Sequence, residues 1–423
     1  MISRALTRLR EEFSFVKGNL LILIVSYTLF RMTDSMSYSF QSLYIRELGA
    51  SPFLLGLMSS IGSLIIALVR IPGAFVADHY GRKRVIEVFT FGVAFSYIFY
   101  ALAPDWRWVL IGMMILNASH VYLPALDAIE ADSIPPERRG MGYSVINVLT
   151  SLPAMITPPI GGFLVERLGL VPGMRIAYGV TFVGGLVAAM VRTLFLRETL
   201  EEPQEFRWAD VGSTFRESLG SIFEAWREMP KKMVYLVVVI LMGAFEAPIF
   251  MIYTSLYAID VVGVGGFEWS LMSTAFMLTS LLVGLPIGRM IDSIGRKKSI
   301  LLAYLFSTPV IVLFILSRSF IPLLLTQILF GVSQAFFYPA LMAFQADLIS
   351  PDKRGRIMGM IGTLRTLAAV PAAIVFGLMY ESGPAIPFIF AIVIEVLTIV
   401  IVIVKIDESV DTEQTIPPAP PAP

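Results

Sequence analysis

The stretch PALDAIEADSIPPERRG at residues 124–140 returns as PALMAFQADLISPDKRG at residues 339–355. Working outward, DHYGRKR at 78–84 returns as DSIGRKK at 292–298, at nearly the same offset. Earlier still, Phe53 and Leu57-Met58-Ser59 answer to Phe267 and Leu271-Met272-Ser273, and Ser42-Leu43-Tyr44 answers to Ser255-Leu256-Tyr257. The order and spacing of the matched segments are kept, so one half of the chain reads as a copy of the other. A long-period repeat of this kind decides architecture before any local pattern does.

The repeat is set in a membrane. Of the 423 residues 56% are apolar and 15% charged, and the mean hydropathy is +0.77, far from a soluble domain. Crossing about 30 Å of hydrocarbon takes about 20 apolar residues in a helix. Such stretches fall at 19–45, 53–77, 85–103, 107–131, 141–165, 174–196, 233–259, 268–291, 299–317, 320–346, 357–380 and 385–405, six to each copy. The expected fold class is therefore an all-α integral membrane protein of twelve transmembrane helices in two six-helix pseudo-symmetric halves.

The charges are sorted by side. Most of the 32 Lys and Arg residues fall on segments facing one side, including Arg82-Lys83-Arg84, Arg138-Arg139, Arg296-Lys297-Lys298 and Lys353-Arg354. Basic loops stay in the cytoplasm, so a plasma-membrane protein with both termini cytoplasmic is expected. Zero formal net charge gives no sign of a nucleic-acid partner. The expected organisation is a cytoplasmic amphipathic segment at 1–18, a first bundle at 19–196, a cytoplasmic central loop at 197–232, a second bundle at 233–406 and a disordered Pro-rich tail at 407–423. Residues 1–17 lack the short apolar core and cleavage site of a signal peptide; Leu6, Leu9, Phe13 and Val16 instead form an interfacial face. Val211, Phe215, Leu219, Ile222 and Trp226 do the same within the central loop. No oligomeric signal stands out, and a monomer is expected.

The duplicated loop has its own chemistry. Gly81 and Gly295 permit a backbone reversal, and Asp78 and Asp292 are placed to cap exposed amides. Arg82 and Arg296 can reach an acid at the end of the next helical hairpin, Asp132 and Asp347 respectively. These residues resemble motif A of the major facilitator superfamily, Gly-x-x-x-Asp-(Arg/Lys)-x-Gly-(Arg/Lys)-(Arg/Lys). The second copy fits through Gly288, Asp292, Gly295, Arg296 and Lys297; the first departs at Ala74 and His79, and Ser293 departs likewise. The resemblance implies a rocker-switch secondary transporter in which motif A and the acidic end of the fourth helix latch the outward-facing state. Thr157-Pro158-Pro159-Ile160-Gly161-Gly162 is also similar to the core of motif C of proton-coupled antiporters, with Thr157 in place of the leading Gly. Physically, Pro158 removes a backbone hydrogen bond and Gly161-Gly162 allows another helix close, which makes a hinge.

Polar residues inside spans are the candidates for substrate and ion. Tyr27, Arg31, Asp34, Tyr38 and Gln41 recur as one stripe of a helix. Asn117, His120 and Asp127 share a face of the fourth span, roughly 140° from Asp132 at 100° per residue. The seventh span offers Glu246, Tyr253 and Tyr257, and the tenth offers Gln327, Gln334 and Tyr338. Spans 1, 4, 7 and 10 line the central cavity in the superfamily the chain resembles. Lipid exposure of Arg31, Asp34, Asp127, Glu246, Arg365 and Glu395 together would cost on the order of 18 kcal/mol, at about 3 kcal/mol each. Arg31 and Asp34 stand one turn apart and are placed to pair; Glu395 and Arg365 read as packing residues, and Arg70 and Arg192 as snorkelling ones.

The copies differ in charge: Arg31 and Asp34 align with Ala244 and Ala247, and Asp127 with Met342. The first half is therefore expected to handle a coupling proton, with Asp34 the first choice of carrier, Glu246 the second and Asp127 the third. Two His and no Cys offer no metal or thiol site. No phosphate-cradling loop or nucleophilic triad is present, and neither enzyme nor cofactor is expected. The leading reading is proton-coupled efflux of amphipathic compounds, similar to drug–proton antiporters. The alternatives are an uptake symporter or facilitator for a sugar or organic acid, and a non-transporting membrane scaffold.

Overall fold

The computed structural model describes residues 13, 15–200, 212, 220, 224–227 and 229–407, apart from the side chains of 70–72, 74, 75, 78–80, 140, 231, 232, 285, 351, 352 and 355. Most of the expected amphipathic segment, most of the central-loop helix and all of the Pro-rich tail after Asp407 lie outside them. Twelve helices long and apolar enough to cross a membrane follow one another, with no strand among the described residues. They are α1 Asn19–Tyr38, α2 Pro52–Tyr80, α3 Arg82–Ala101, α4 Trp106–Ser133, α5 Met141–Leu168, α6 Leu170–Phe195, α7 Met233–Val262, α8 Gly266–Ile294, α9 Arg296–Leu316, α10 Phe320–Leu348, α11 Pro351–Ser382 and α12 Ile386–Lys405.

Their ends carry local signals. Ser51 accepts the Leu54 amide at 3.3 Å with Pro52 at the first helical position, and Asp105 accepts the Arg107 amide at 2.8 Å. Gly81 (φ 89°) and Gly295 (φ 97°) make the tight turns into α3 and α9 in a region closed to residues with a Cβ. Large apolar side chains such as Val183, Leu313 and Leu397 stay more than a third exposed, as a lipid-facing surface requires.

By compactness the chain divides into two units. One is Met1–Gly220 with Ala247–Thr274 and Ala369–Pro384; the other is Ser221–Glu246 with Ala275–Ala368 and Ala385–Pro423. The core of the second unit runs from Met233, Leu236 and Ile240 through Ile300, Phe336 and Phe344 to Val402. Within the first unit, α1, α2 and α5 are joined to α7, α8 and α11 at the end remote from the duplicated loops. The Tyr253 hydroxyl lies 3.2 Å from the Pro52 carbonyl and 3.0 Å from that of Ala373. Trp269 Nε1 donates to the Ser39 carbonyl (2.8 Å), the Phe53 amide to Glu381 (3.1 Å), and Arg46 pairs with Asp260. A Cβ on Gly56 would stand 2.0 Å from the Ala373 carbonyl oxygen, so only glycine allows this approach.

Candidate functional site

The α1 stripe meets three other helices of the first unit. Asp34 Oδ1 accepts the Tyr97 hydroxyl of α3 at 2.7 Å. Tyr97 is held edge-on to Phe30 at 6.0 Å and stacked on Tyr178 at 6.2 Å, so the donor is fixed in place. Arg31 does not pair with Asp34: its Nη1 donates to Thr150 and Ser151 of α5, each at 3.2 Å. One turn of helix brings the two residues to the same face, but the side chains diverge toward different neighbours. Tyr27 donates to Glu130 of α4 at 3.1 Å. Glu130 lies inside the repeated stretch, three residues after Asp127, where no local signal marks it as the partner of Tyr27. Asp127 itself is exposed, as are Arg31 and Tyr38, while Gln41 is half-buried in the short helix that follows α1.

On α4, Asn117 is buried and turns its amide back to the Met113 carbonyl at 2.8 Å. His120 opens a 3₁₀ turn, stacks on Tyr122 at 6.3 Å, and leaves Nδ1 buried without a partner. Arg192 corrects an expectation. It is 3% exposed, donates to Ser26 at 3.0 Å and Thr90 at 3.1 Å, and faces the rings of Tyr27 and Tyr122. Hydroxyls and aromatic faces solvate the guanidinium where snorkelling was expected. Arg70's side chain lies outside the described ones.

α5 is interrupted between Ala154 and Pro158. Pro158 and Pro159 have no N–H, so the carbonyls of Ala154 and Met155 lose their helical partners. Ser35 of α1 donates to the Ala154 carbonyl (2.8 Å) and Thr274 of α8 to that of Met155 (3.3 Å), which meets the demand inside an apolar span. Gly161 and Gly162 then seat two helices at once. A Cβ on Gly161 would stand 2.1 Å from the Met36 carbonyl oxygen, and one on Gly162 would stand 2.3 Å from Ser270 Oγ.

Both motif A loops reach their acids. Arg82 contacts Asp132 and also donates to Thr199 at 3.1 Å. Arg296 is bonded to Asp292 at 2.6 Å and lies 3.4 Å from Asp347. Asp292 caps no amide at the start of α9; it stands one turn before Arg296 and pairs with it instead. Asp78's side chain is not among those described. In the first loop Glu198 accepts the Lys83 amide at 2.9 Å, a partner from outside the motif. Beside it, Lys17, Asp132, Arg138 and Arg197 line a cavity of 470 Å³.

The remaining candidates are dispersed. Tyr253 and Tyr257 are packed inside the first unit, and Tyr253 spends its hydroxyl on the closure described above. In the second unit Gln334 and Tyr338 are exposed on α10, Gln327 is buried, and Arg365 is exposed on α11. Glu246 is 8% exposed on α7 and confronts Glu395 of α12, whose carboxyl oxygens lie 2.7 and 2.5 Å from the Ser307 and Thr308 hydroxyls of α9. Among the described residues no group of three or more His, Cys, Asp or Glu is placed to hold a metal ion.

Known proteins frame this arrangement. The chain is 24% identical over 364 residues to the multidrug resistance protein MdtG of Citrobacter koseri, covering 84% of this chain and 86% of that one. Its fold matches the inward-facing, occupied structure of a bacterial homologue of the human lysosomal transporter Spinster, with a TM-score of 0.72 at 14% identity over 91% of this chain and 95% of the other. It also matches the human organic anion transporter MFSD10, with a TM-score of 0.64 at 20% identity over 91% of this chain and all of the other. The profile of the Major Facilitator Superfamily matches residues 23–270 and 262–423, which together take in nearly the whole sequence. The protein is a multi-pass membrane transporter, not an enzyme, and belongs to the Major Facilitator Superfamily.

Proposed function

We propose that this secondary transporter exports amphipathic small molecules from the cytoplasm in exchange for protons. The observation that carries the reading is Asp34. It lies on the polar face of α1, its carboxylate accepts a neutral tyrosine hydroxyl, and no cation among the described residues pairs with it. A proton is then the natural counter-charge. Glu246 and Asp127 are the further proton-coupling groups in this proposal. The likeness to MdtG, whose name assigns it to multidrug resistance, supports export. Within the first unit the substrate would meet Tyr27, Arg31, Tyr38, Gln41, Asn117 and His120. The Arg82–Asp132 and Arg296–Asp347 contacts would serve as conformational latches on the cytoplasmic face, where the basic loops place both termini. The fold would work as a monomer in the plasma membrane.

Everted membrane vesicles test this directly. An imposed proton gradient, acidic inside, should drive a cationic dye into the vesicles, and Asp34→Asn should abolish the accumulation. Proton-driven loss of the dye would instead mean uptake. Arg31 favours one second reading, because an exposed guanidinium on the α1 stripe suits an anionic metabolite. Gradient-driven transport of organic acids but not of cations would select it.

A further inference from the structure

Glu246 and Glu395 face each other across α7 and α12. The contact of Thr398 with Met242 (3.6 Å) brings together the same two helix faces one turn away. Both acids are buried, 8% and 2% exposed, and among the described residues no Lys, Arg or His pairs with either. The groups that face them are each other, the Tyr304 hydroxyl of α9, and Ser307 and Thr308; α10 presents Phe337 at Tyr304, an uncharged ring. Two atoms are left over. Glu246 Oε2 has no hydrogen-bond partner, and neither does the Tyr304 hydroxyl, which is 4% exposed and lies 3.6 Å from where a Cβ on Gly243 would stand, one turn before Glu246.

The hydroxyl geometry indicates what is missing. Thr308 Oγ1 lies 2.8 Å from the Tyr304 carbonyl oxygen and 2.5 Å from Glu395 Oε2. A hydroxyl has one hydrogen, and a carbonyl can only accept it. Both contacts are satisfied together when Thr308 donates to the carbonyl and Glu395 carries a proton that it donates to Thr308. We propose that Glu246 and Glu395, with Tyr304, Ser307 and Thr308, form a buried proton-binding site that carries one proton for the two carboxyl groups. Uptake adds one proton from water to a carboxylate oxygen and takes the pair from two negative charges to one. In the repeat register that aligns Arg31 with Ala244, Glu246 aligns with Thr33. The matching contact of the first half is uncharged, a hydroxyl of Thr181 on the Thr33 carbonyl at 2.8 Å. The site therefore belongs to the second half alone.

That this proton takes part in transport rests on the coupling proposed above; its residence in the pair does not. Infrared spectroscopy of the full-length protein in lipid nanodiscs separates the two, because it needs no substrate and no gradient. At neutral pH the wild type should show a protonated-carboxyl carbonyl band that the Glu246→Gln/Glu395→Gln double variant lacks by the amplitude of one acid. Each single variant should keep one neutral acid with its band displaced, so the test survives failure of the double variant to fold. An unchanged band in the double variant, a loss equal to two acids, or bleaching of the wild-type band by sodium at constant pH would overturn the proposal, the last by revealing an alkali-cation site.

Discussion

At the scale of single residues, the polar stripe of α1 was readable because helical periodicity alone collects Tyr27, Arg31 and Asp34 on one face. Their partners were not. Tyr97, Glu130 and Thr150 stand on other helices, and nothing local marks which turn of α3, α4 or α5 will face α1. Phenylalanine at Tyr97 should reduce proton-driven dye accumulation only a few-fold, against full loss in Asp34→Asn, because one hydrogen bond is worth about 1 kcal/mol. Arg192 was misread because depth in the membrane was its only local signal, whereas Ser26, Thr90 and two tyrosine rings supply its solvation from three other helices. Arg192→Lys keeps the charge but loses the planar fork. It should lower stability by about 2 kcal/mol, read as a fall in melting temperature of the purified protein.

At the scale of elements, the twelve spans follow from hydropathy, and the Gly81 and Gly295 turns from the need for positive φ. The break in α5 was visible as Pro158-Pro159, but what the two glycines after it accommodate was not. Contacts with α1 and α8 depend on helix pairs far apart in sequence. Gly161→Ala should cost about 1–3 kcal/mol as overpacking against backbone, which cannot move aside as a side chain can. Gly162→Ala meets the Ser270 side chain first, at 2.3 Å, and the backbone Cα of Phe267 only at 3.0 Å, and should cost less. Pairing the second substitution with Ser270→Gly should recover part of the lost melting temperature, whereas no single partner substitution should rescue the first.

At the scale of the whole molecule, the duplication was legible because matched segments keep their spacing, and it carried the fold with it. The closure at the end remote from the motif A loops was not, since it is built largely from backbone carbonyls that every sequence has. The ion pair Arg46–Asp260 in this closure is partly exposed and worth up to about 1 kcal/mol. The native chain has no cysteine, so a thiol introduced at Ser39 reports on this closure without background. Arg46→Asp should raise its labelling rate by an impermeant maleimide up to about fivefold. Exchanging the charges, Arg46→Asp with Asp260→Arg, should return the rate to its starting value. The compact units part company inside three helices: after Glu246 in α7, Thr274 in α8 and Ala368 in α11. Pro248 and a π-helical turn follow the first of these points at once, and Pro371 follows the third. A span weakened at mid-height is an articulated strut, not a rod. α7 at Pro248 and α11 at Pro371 should therefore bend more readily than unbroken helices of the same length.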